Sequence, residues 1–237
     1  QWGQDFRPSY LIIPQFIDRL ADRPVLAAFT ATATPQVRED VIDKLNLKEP
    51  YVLTTGFDRE NLFFSVQKPK NKFVALKEYI EIVYCSTRKT VDEVCRNLIK
   101  SGFAAVPYHA GLSEKDRREN QDSFIYDKSN IMVATNAFGM GIDKSNISYI
   151  IHYNMPKNIE SYYQEAGRAG RDGEPAECLL FYGGQDVVIN QLLIDNSNGN
   201  EDLDKETIEA IKEKDRELLK IMTFYCHTND CLREYIL

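Results

Sequence analysis

The chain has 237 residues, a formal net charge of −7 and 43% hydrophobic residues, which indicates one large globular domain or two of ordinary size. No apolar run approaches the roughly 18 residues of a membrane span, and five cysteines, an odd number, indicate a reducing compartment. The acidic balance argues against a protein that binds nucleic acid over its whole surface, although a basic track on one face remains compatible with it.

Apolar runs of strand length alternate with amphipathic segments of helix length, which is typical of parallel sheets flanked by helices. Residues 25–29, 51–53 and 62–66 each predict a strand. The Thr-Pro pair at residues 34–35 predicts the N-cap and first position of a helix. The polar, proline-containing stretch at residues 68–72 predicts a domain boundary.

After that boundary the alternation restarts, with a helix near residues 88–101 and a capping-box pattern at Ser113 and Asp116. Further strands are predicted at residues 82–85, 104–108, 131–134, 149–153 and 178–182. The predicted helix 73–80 runs directly into the strand at Ile82, whereas such a connection normally takes about two to six residues. We therefore expect a loop to be missing between Ile80 and Ile82.

The end of the chain begins with a polar linker at residue 196. Apolar residues from Ile208 to Tyr225 then recur at helical spacing and predict a long amphipathic helix. A helix of this kind most simply serves packing.

Two segments carry hydroxyls where a predicted strand ends, the usual place for ligand-binding loops in open parallel sheets. Residues 29–33 read FTATA and contain Thr30 and Thr32, which would equally serve as turn and cap residues. Residues 84–88 read YCSTR and lead into a helix whose N-terminus suits an anion.

Two further segments suit a polyphosphate. Residues 133–143 read VATNAFGMGID, in which glycines permit close backbone approach and Asp143 is placed to accept from a ribose hydroxyl. Residues 164–173 read QEAGRAGRDG and set Arg168 and Arg171 among small residues, so that their guanidinium groups can bind phosphate oxygens. The alternative is a helix that ends near Gly167, followed by a turn with solvated arginines.

Together the four segments resemble the helicase motifs of superfamily 2, and their amino-acid sequences are similar to those of the RecQ family. Residues 2–10, WGQDFRPSY, resemble the aromatic-rich loop that follows the DEAH box in RecQ proteins. Residues 108–112, YHAGL, and 161–173 are also RecQ-like. The resemblance covers essentially the whole chain, in order.

The resemblance implies an α/β fold of RecA-like parallel sheets flanked by helices. Residues 1–67 would be the C-terminal part of a first RecA-like domain and 68–184 a complete second one. Residues 185–237 would form a linker and the helical start of the RecQ zinc-binding subdomain.

The implied activity is that of an ATP-dependent DNA helicase, which uses ATP and Mg²⁺ to move 3′ to 5′ along single-stranded DNA and to unwind forked duplexes. Such a protein would serve DNA repair, recombination and replication, in the bacterial cytoplasm with the nucleoid or in a eukaryotic nucleus. A superfamily 2 RNA helicase and a non-catalytic module that grips single strands remain the alternatives.

The resemblance also implies residue roles. Arg171 would be the arginine finger and Arg168 its partner, while Gln164, Asp143 and Gly141 would line the nucleotide site. The residues implied in DNA binding and coupling are Trp2, Phe6, Arg7, Thr30, Thr32, Ser86, Arg88, His109 and Thr135. Trp2 would stack on a base, or would alternatively be an ordinary buried aromatic residue.

The sequence departs from the family pattern in three respects. It contains neither the Gly-Lys-Thr phosphate loop nor the DEAH box, so we expect this polypeptide alone to be inactive. Cys231 matches the first of four zinc cysteines, and the others do not follow before Leu237, so Zn²⁺ is expected only in the full-length protein. Cys226 is interpreted as a packing residue, as is His152.

Overall fold

The computed structural model describes residues 12–30, 35–53, 58–79, 81–138, 144–197 and 205–236. Contacts divide the chain into two compact units, Gln1–Phe57 and Asp58–Leu237. None of the described helices is both long and apolar enough to cross a membrane.

The first unit contains two helices in its described part, α1 (Ile13–Ile17) and α2 (Pro35–Lys44). Helix α2 begins at the predicted proline. The strands predicted at residues 25–29 and 51–53 are wrong, since both segments are irregular and Val25 and Tyr51 are 99% and 90% exposed. A strand needs a neighbour for its backbone groups, and residues 12–30 and 35–53 include no strand that could pair with them.

The second unit is built on a six-stranded, wholly parallel sheet with the order β1-β6-β5-β2-β4-β3. Its strands are β1 (Leu62–Gln67), β2 (Ile82–Tyr84), β3 (Ala105–Tyr108), β4 (Ile131–Ala134), β5 (Tyr149–His152) and β6 (Ala176–Phe181). Its helices are α3 (Lys72–Leu76), α4 (Arg88–Lys100), α5 (Glu114–Ile125), α6 (Ile159–Ala166), α7 (Gly184–Asp195), α8 (Lys205–Tyr225) and α9 (Leu232–Ile236).

Helices cover both faces of this sheet, which explains its continuous apolar strands. On one face, α3 and α4 bury Leu76, Val91 and Leu98 against the sheet. On the other face, α5, α6 and α8 bury Phe124, Tyr162 and Tyr225, among others. All residues of β2 and β4 are buried. The α/β fold expected from the sequence is confirmed.

Strand β1 lies at the edge of this sheet, with Leu62 opposite Ala176 of β6. The sequence-based division after residue 67 placed this strand with the preceding unit, whereas contacts place the division between Phe57 and Asp58. The polar stretch at 68–72 connects β1 to α3 within the second unit, and the division expected after residue 67 stays a prediction.

Helix starts agree well with the sequence. Ser113 caps α5, since its Oγ accepts from the Asp116 amide at 3.0 Å and donates to the Asp116 carboxylate at 2.7 Å. Helix α3 ends at Leu76, earlier than predicted, and continues as a turn to Tyr79. Ile80 lies outside the described residues, so the loop expected between Ile80 and Ile82 stays a prediction.

Candidate functional site

The arginine segment is a tight turn at the end of α6. Asn158 caps the start of this helix, its side chain accepting from the Ser161 amide at 2.8 Å, and Gly167 follows its last residue. The amides of Arg168 and Ala169 still donate back into the helix. Gly170 then takes a positive φ of 54°, a conformation that glycine adopts readily. The helix end and the glycine turn belong to the alternative interpretation of this segment, and the structure contains both.

The two arginines of this turn have different surroundings. Arg171 is exposed, whereas Arg168 is half-buried and lies near the hydroxyl of Tyr84, at the carboxyl end of β2. Burial raises the pKa of Tyr84 far above its usual value, and both arginines partly oppose that rise. The Tyr84 hydroxyl also lies 3.4 Å from the carbonyl of Phe138, to which it donates. The structure thus brings together three segments that the sequence predicted separately.

A buried contact between a histidine and a glutamate lies beside this turn. His152, at the end of β5, is 1% exposed, and its Nε2 lies 2.8 Å from Oε2 of Glu165 on α6. Tyr84 stacks on the imidazole with ring centroids 5.3 Å apart, and Tyr162 meets it edge-on at 4.8 Å. His152 is therefore a packed residue that fixes α6 to the sheet, as predicted.

The carboxyl edge of the sheet carries a second group of predicted residues. Ser86, His109 and Thr135 follow β2, β3 and β4, which are neighbours in the sheet. The Thr135 amide donates to the Tyr108 carbonyl at 3.1 Å, so these loops are packed together. This edge is where ligands bind in open parallel sheets.

The N-terminus of α4 opens at that edge. Thr87 caps it by accepting from the Thr90 amide at 3.1 Å, and Arg88 and Lys89 are exposed there. A Cβ built on Gly111 would lie 3.2 Å from Cδ of Arg88, so the β3 loop runs directly beside this arginine. Two cations and a helix N-terminus together suit a phosphate backbone.

His109 was predicted to face DNA, but its ring is 5% exposed and both ring nitrogens bind groups of the protein. Nδ1 accepts from the Gly111 amide at 3.1 Å, so the ring proton lies on Nε2, which donates to the Asp92 carboxylate at 3.0 Å. His109 therefore shapes the loop that passes Arg88.

A polar network missed by the sequence analysis holds the loop before α4. The carboxylate of Asp186, on α7, accepts hydrogen bonds from Nζ of Lys72 at 2.7 Å and from Nδ2 of Asn154 at 2.9 Å. Asn154 in turn accepts from the Ser86 amide at 3.2 Å. Asp186 is 4% exposed, so the charge is buried and paired. The sequence holds no signal for these pairings, because the partners are far apart in it.

Two more missed residues, Arg59 and Asn61, precede β1 and donate to the turn after Arg168. The Arg-Glu-Asn run that contains them predicts only a polar turn, since nothing in it specifies a partner more than 100 residues away.

The zinc-binding candidate Cys231 is exposed and lies just before α9. In the described part of the chain, no three His, Cys, Asp or Glu side chains are grouped as metal ligands. One thiol does not by itself constitute a zinc site. Cys226 is buried, and burial raises its pKa to about 12, so it stays a neutral packing thiol.

The other predicted site residues are placed as follows. Trp2, Phe6, Arg7, Thr32, Gly141 and Asp143 lie outside the described residues. Thr30 is exposed in the first unit, and Gln164 is exposed on α6, one turn before Arg168.

Comparison with known proteins identifies the family. A family model for the helicase conserved C-terminal domain matches residues 72–173. The solved structure of S. cerevisiae Dbp5 bound to RNA and ADP BeF3 superposes with a TM-score of 0.63 at 19% identity, covering 91% of this chain and 60% of that one. At that identity the likeness shows the fold alone.

Curated relatives match over nearly the whole chain. The ATP-dependent DNA helicase RecQ of Bacillus subtilis is 45% identical over 244 residues, covering 100% of this chain and 40% of that protein. The ATP-dependent helicase wrn-1 of Caenorhabditis elegans is 40% identical over 251 residues, covering 99% and 23%. The RecQ-like DNA helicase BLM of Xenopus laevis is 42% identical over 212 residues, covering 84% and 16%. The chain spans less than half the length of these relatives, and it belongs to the RecQ family of superfamily 2 helicases.

Proposed function

We propose that the protein containing this chain is an ATP-dependent DNA helicase that translocates 3′ to 5′ on single-stranded DNA and unwinds forked duplexes. The observation that carries this proposal is the turn at residues 167–173, which presents one exposed arginine and places a second, half-buried arginine near Tyr84 of β2. The identity to RecQ proteins supports DNA as the substrate.

In this proposal, Arg171 binds the γ-phosphate oxygens of ATP as charge spreads over them in the transition state of phosphoryl transfer. Arg168 contacts phosphate or maintains the turn through Tyr84. Mg²⁺ would neutralise the β- and γ-phosphates, but the phosphate-loop lysine and acidic box that accompany it are not in this sequence. We propose that the 237-residue chain alone does not hydrolyse ATP.

The DNA backbone would follow the carboxyl edge of the second unit. Arg88 and the α4 N-terminus contact phosphate there, with Ser86 and Thr135 alongside. The helicase would act in the nucleus of a eukaryote or, in a bacterium, in the cytoplasm with the nucleoid. The proposed Zn²⁺ site, beginning at Cys231, belongs to the full-length protein.

Strand-displacement assays with the full-length protein test this proposal. We expect ATP-dependent unwinding of a DNA duplex with a 3′ single-stranded tail and none of a duplex with a 5′ tail. Equal unwinding of both would contradict the polarity. A preference for RNA duplexes would favour the RNA helicase alternative, and single-strand binding that does not respond to an ATP analogue would favour a binding module.

A further inference from the structure

The segment just before β1 holds the arginine turn in place. Nη2 of Arg59 donates to the carbonyl oxygens of Ala169 at 3.1 Å and Gly170 at 2.6 Å. Nδ2 of Asn61 donates to the Gly170 carbonyl at 2.8 Å and to the Glu174 carbonyl at 2.8 Å. Nε of Arg59 also donates to Oδ1 of Asn61 at 3.3 Å, which orients both side chains. The two side chains therefore bind the turn together.

Gly170 is confined by these contacts. Its φ is +54°, and an added Cβ would collide with the Asn61 amide and lie 2.8 Å from the Glu174 carbonyl. Its amide donates to the Ile147 carbonyl at 2.8 Å on the opposite side. The residue is thus fixed at its amide, at its carbonyl and at its Cα.

The Gly170 carbonyl belongs to the same planar peptide unit as the Arg171 amide. Two donors on that oxygen set the plane of the peptide and therefore the direction in which the chain leaves toward Arg171. Since φ and ψ are the only soft backbone angles, fixing this plane restricts where the Arg171 side chain begins.

The holding segment is itself anchored. Nη2 of Arg233, on α9, donates to the carbonyls of Glu60 at 3.1 Å and Leu62 at 2.6 Å, and its Nη1 pairs with Asp58 at 3.1 Å. The backbone of Asn61 also accepts from the Ala176 amide at 2.9 Å. The backbone that carries Arg59 and Asn61 is consequently held in place by these hydrogen bonds.

We propose that Arg59 and Asn61 are positioning residues for the arginine finger, which hold the Gly170–Arg171 peptide so that the Arg171 guanidinium meets the transferring phosphoryl group. This role rests on the proposed ATPase function. Neither side chain touches ATP in this account, and both act through Arg171. Because small displacements of a catalytic group cost large factors in rate, their loss lowers turnover more than binding.

A double-mutant cycle in the full-length protein tests the role. In the otherwise unsubstituted protein, Asn61→Ala is expected to lower kcat of DNA-stimulated ATP hydrolysis by about 10-fold while KM for ATP and single-strand affinity change by less than ~2-fold. In an Arg171→Ala background, the same substitution is expected to change kcat by less than ~2-fold, because the group that it positions is gone.

Asn130→Ala is the matched control, since Asn130 is an exposed asparagine before β4. Circular dichroism and thermal melting verify folding. If Asn61→Ala does not fold, Arg59→Lys, which keeps the charge and loses the planar fork, is measured in both backgrounds by the same criteria.

An equal fall of kcat in both backgrounds would overturn the positioning role and show a general structural one. An unchanged kcat for Asn61→Ala in an active protein would overturn this role alone. A full-length protein without DNA-stimulated hydrolysis would overturn the proposed function and this role with it.

Discussion

At the residue scale, the candidate site depends on contacts made by main-chain atoms as much as on the two arginines. The sequence predicted Arg168 and Arg171 because their spacing among glycines suits a phosphate, while the alternative interpretation of the same segment gave the glycine turn. Arg59 and Asn61 escaped prediction because each donates to carbonyls about 110 residues away, and carbonyls have no sequence signature. His109 was placed on the DNA side, although Asp92 and Gly111 occupy its ring nitrogens.

Thiol reactivity is a prediction at this scale. In zinc-free protein, iodoacetamide at mildly alkaline pH is expected to label Cys231 first, because this thiol is exposed while the other four are buried. Burial raises the pKa of Cys95 to about 11 and that of Cys178 to about 12, so their thiolate fractions stay small. Peptide mass spectrometry measures the order of labelling. Comparable labelling of Cys178 and Cys231 before denaturation would contradict the packing described.

At the element scale, burial on both faces made the central strands predictable. The runs at residues 131–134 and 149–153 are apolar because helices cover them on each side. The apolar runs at 25–29 and 51–53 look alike in sequence but form no strand, since pairing depends on a neighbour that a local pattern does not specify.

Helix α7 carries two aspartates that each pair with a cation, and one of these ion pairs is buried while the other is exposed. Asp186→Ala would leave Lys72 without its carboxylate partner and Nδ2 of Asn154 without its acceptor, and we expect the free energy of unfolding to fall by about 3 to 5 kcal/mol. Asp195→Ala is the control on the same helix, and its exposed pairing with Arg216 predicts a much smaller loss. Urea titrations measure both. An equal fall in the free energy of unfolding for both variants would contradict a stabilising role of the buried Asp186 network.

At the scale of the whole molecule, the second unit places two distinct groups of residues on one sheet. The arginine turn lies at the end of α6, held by Arg59 and Asn61, while Arg88 and the α4 N-terminus lie at the carboxyl edge. The Asp186 network joins α7 to the loop before α4, which gives that edge a fixed geometry. Such an arrangement suits a protein in which nucleotide chemistry is coupled to a nucleic-acid backbone.

The most direct test of the account is DNA-stimulated ATP hydrolysis by the full-length protein carrying Arg171→Ala. We expect kcat to fall by at least ~10²-fold, because a finger arginine stabilises charge in the transition state, while single-strand binding is largely kept. Arg118→Ala, which removes an exposed arginine on α5, is the control and is expected to hydrolyse ATP normally. Near-normal turnover of Arg171→Ala would contradict the assignment of this arginine as the finger.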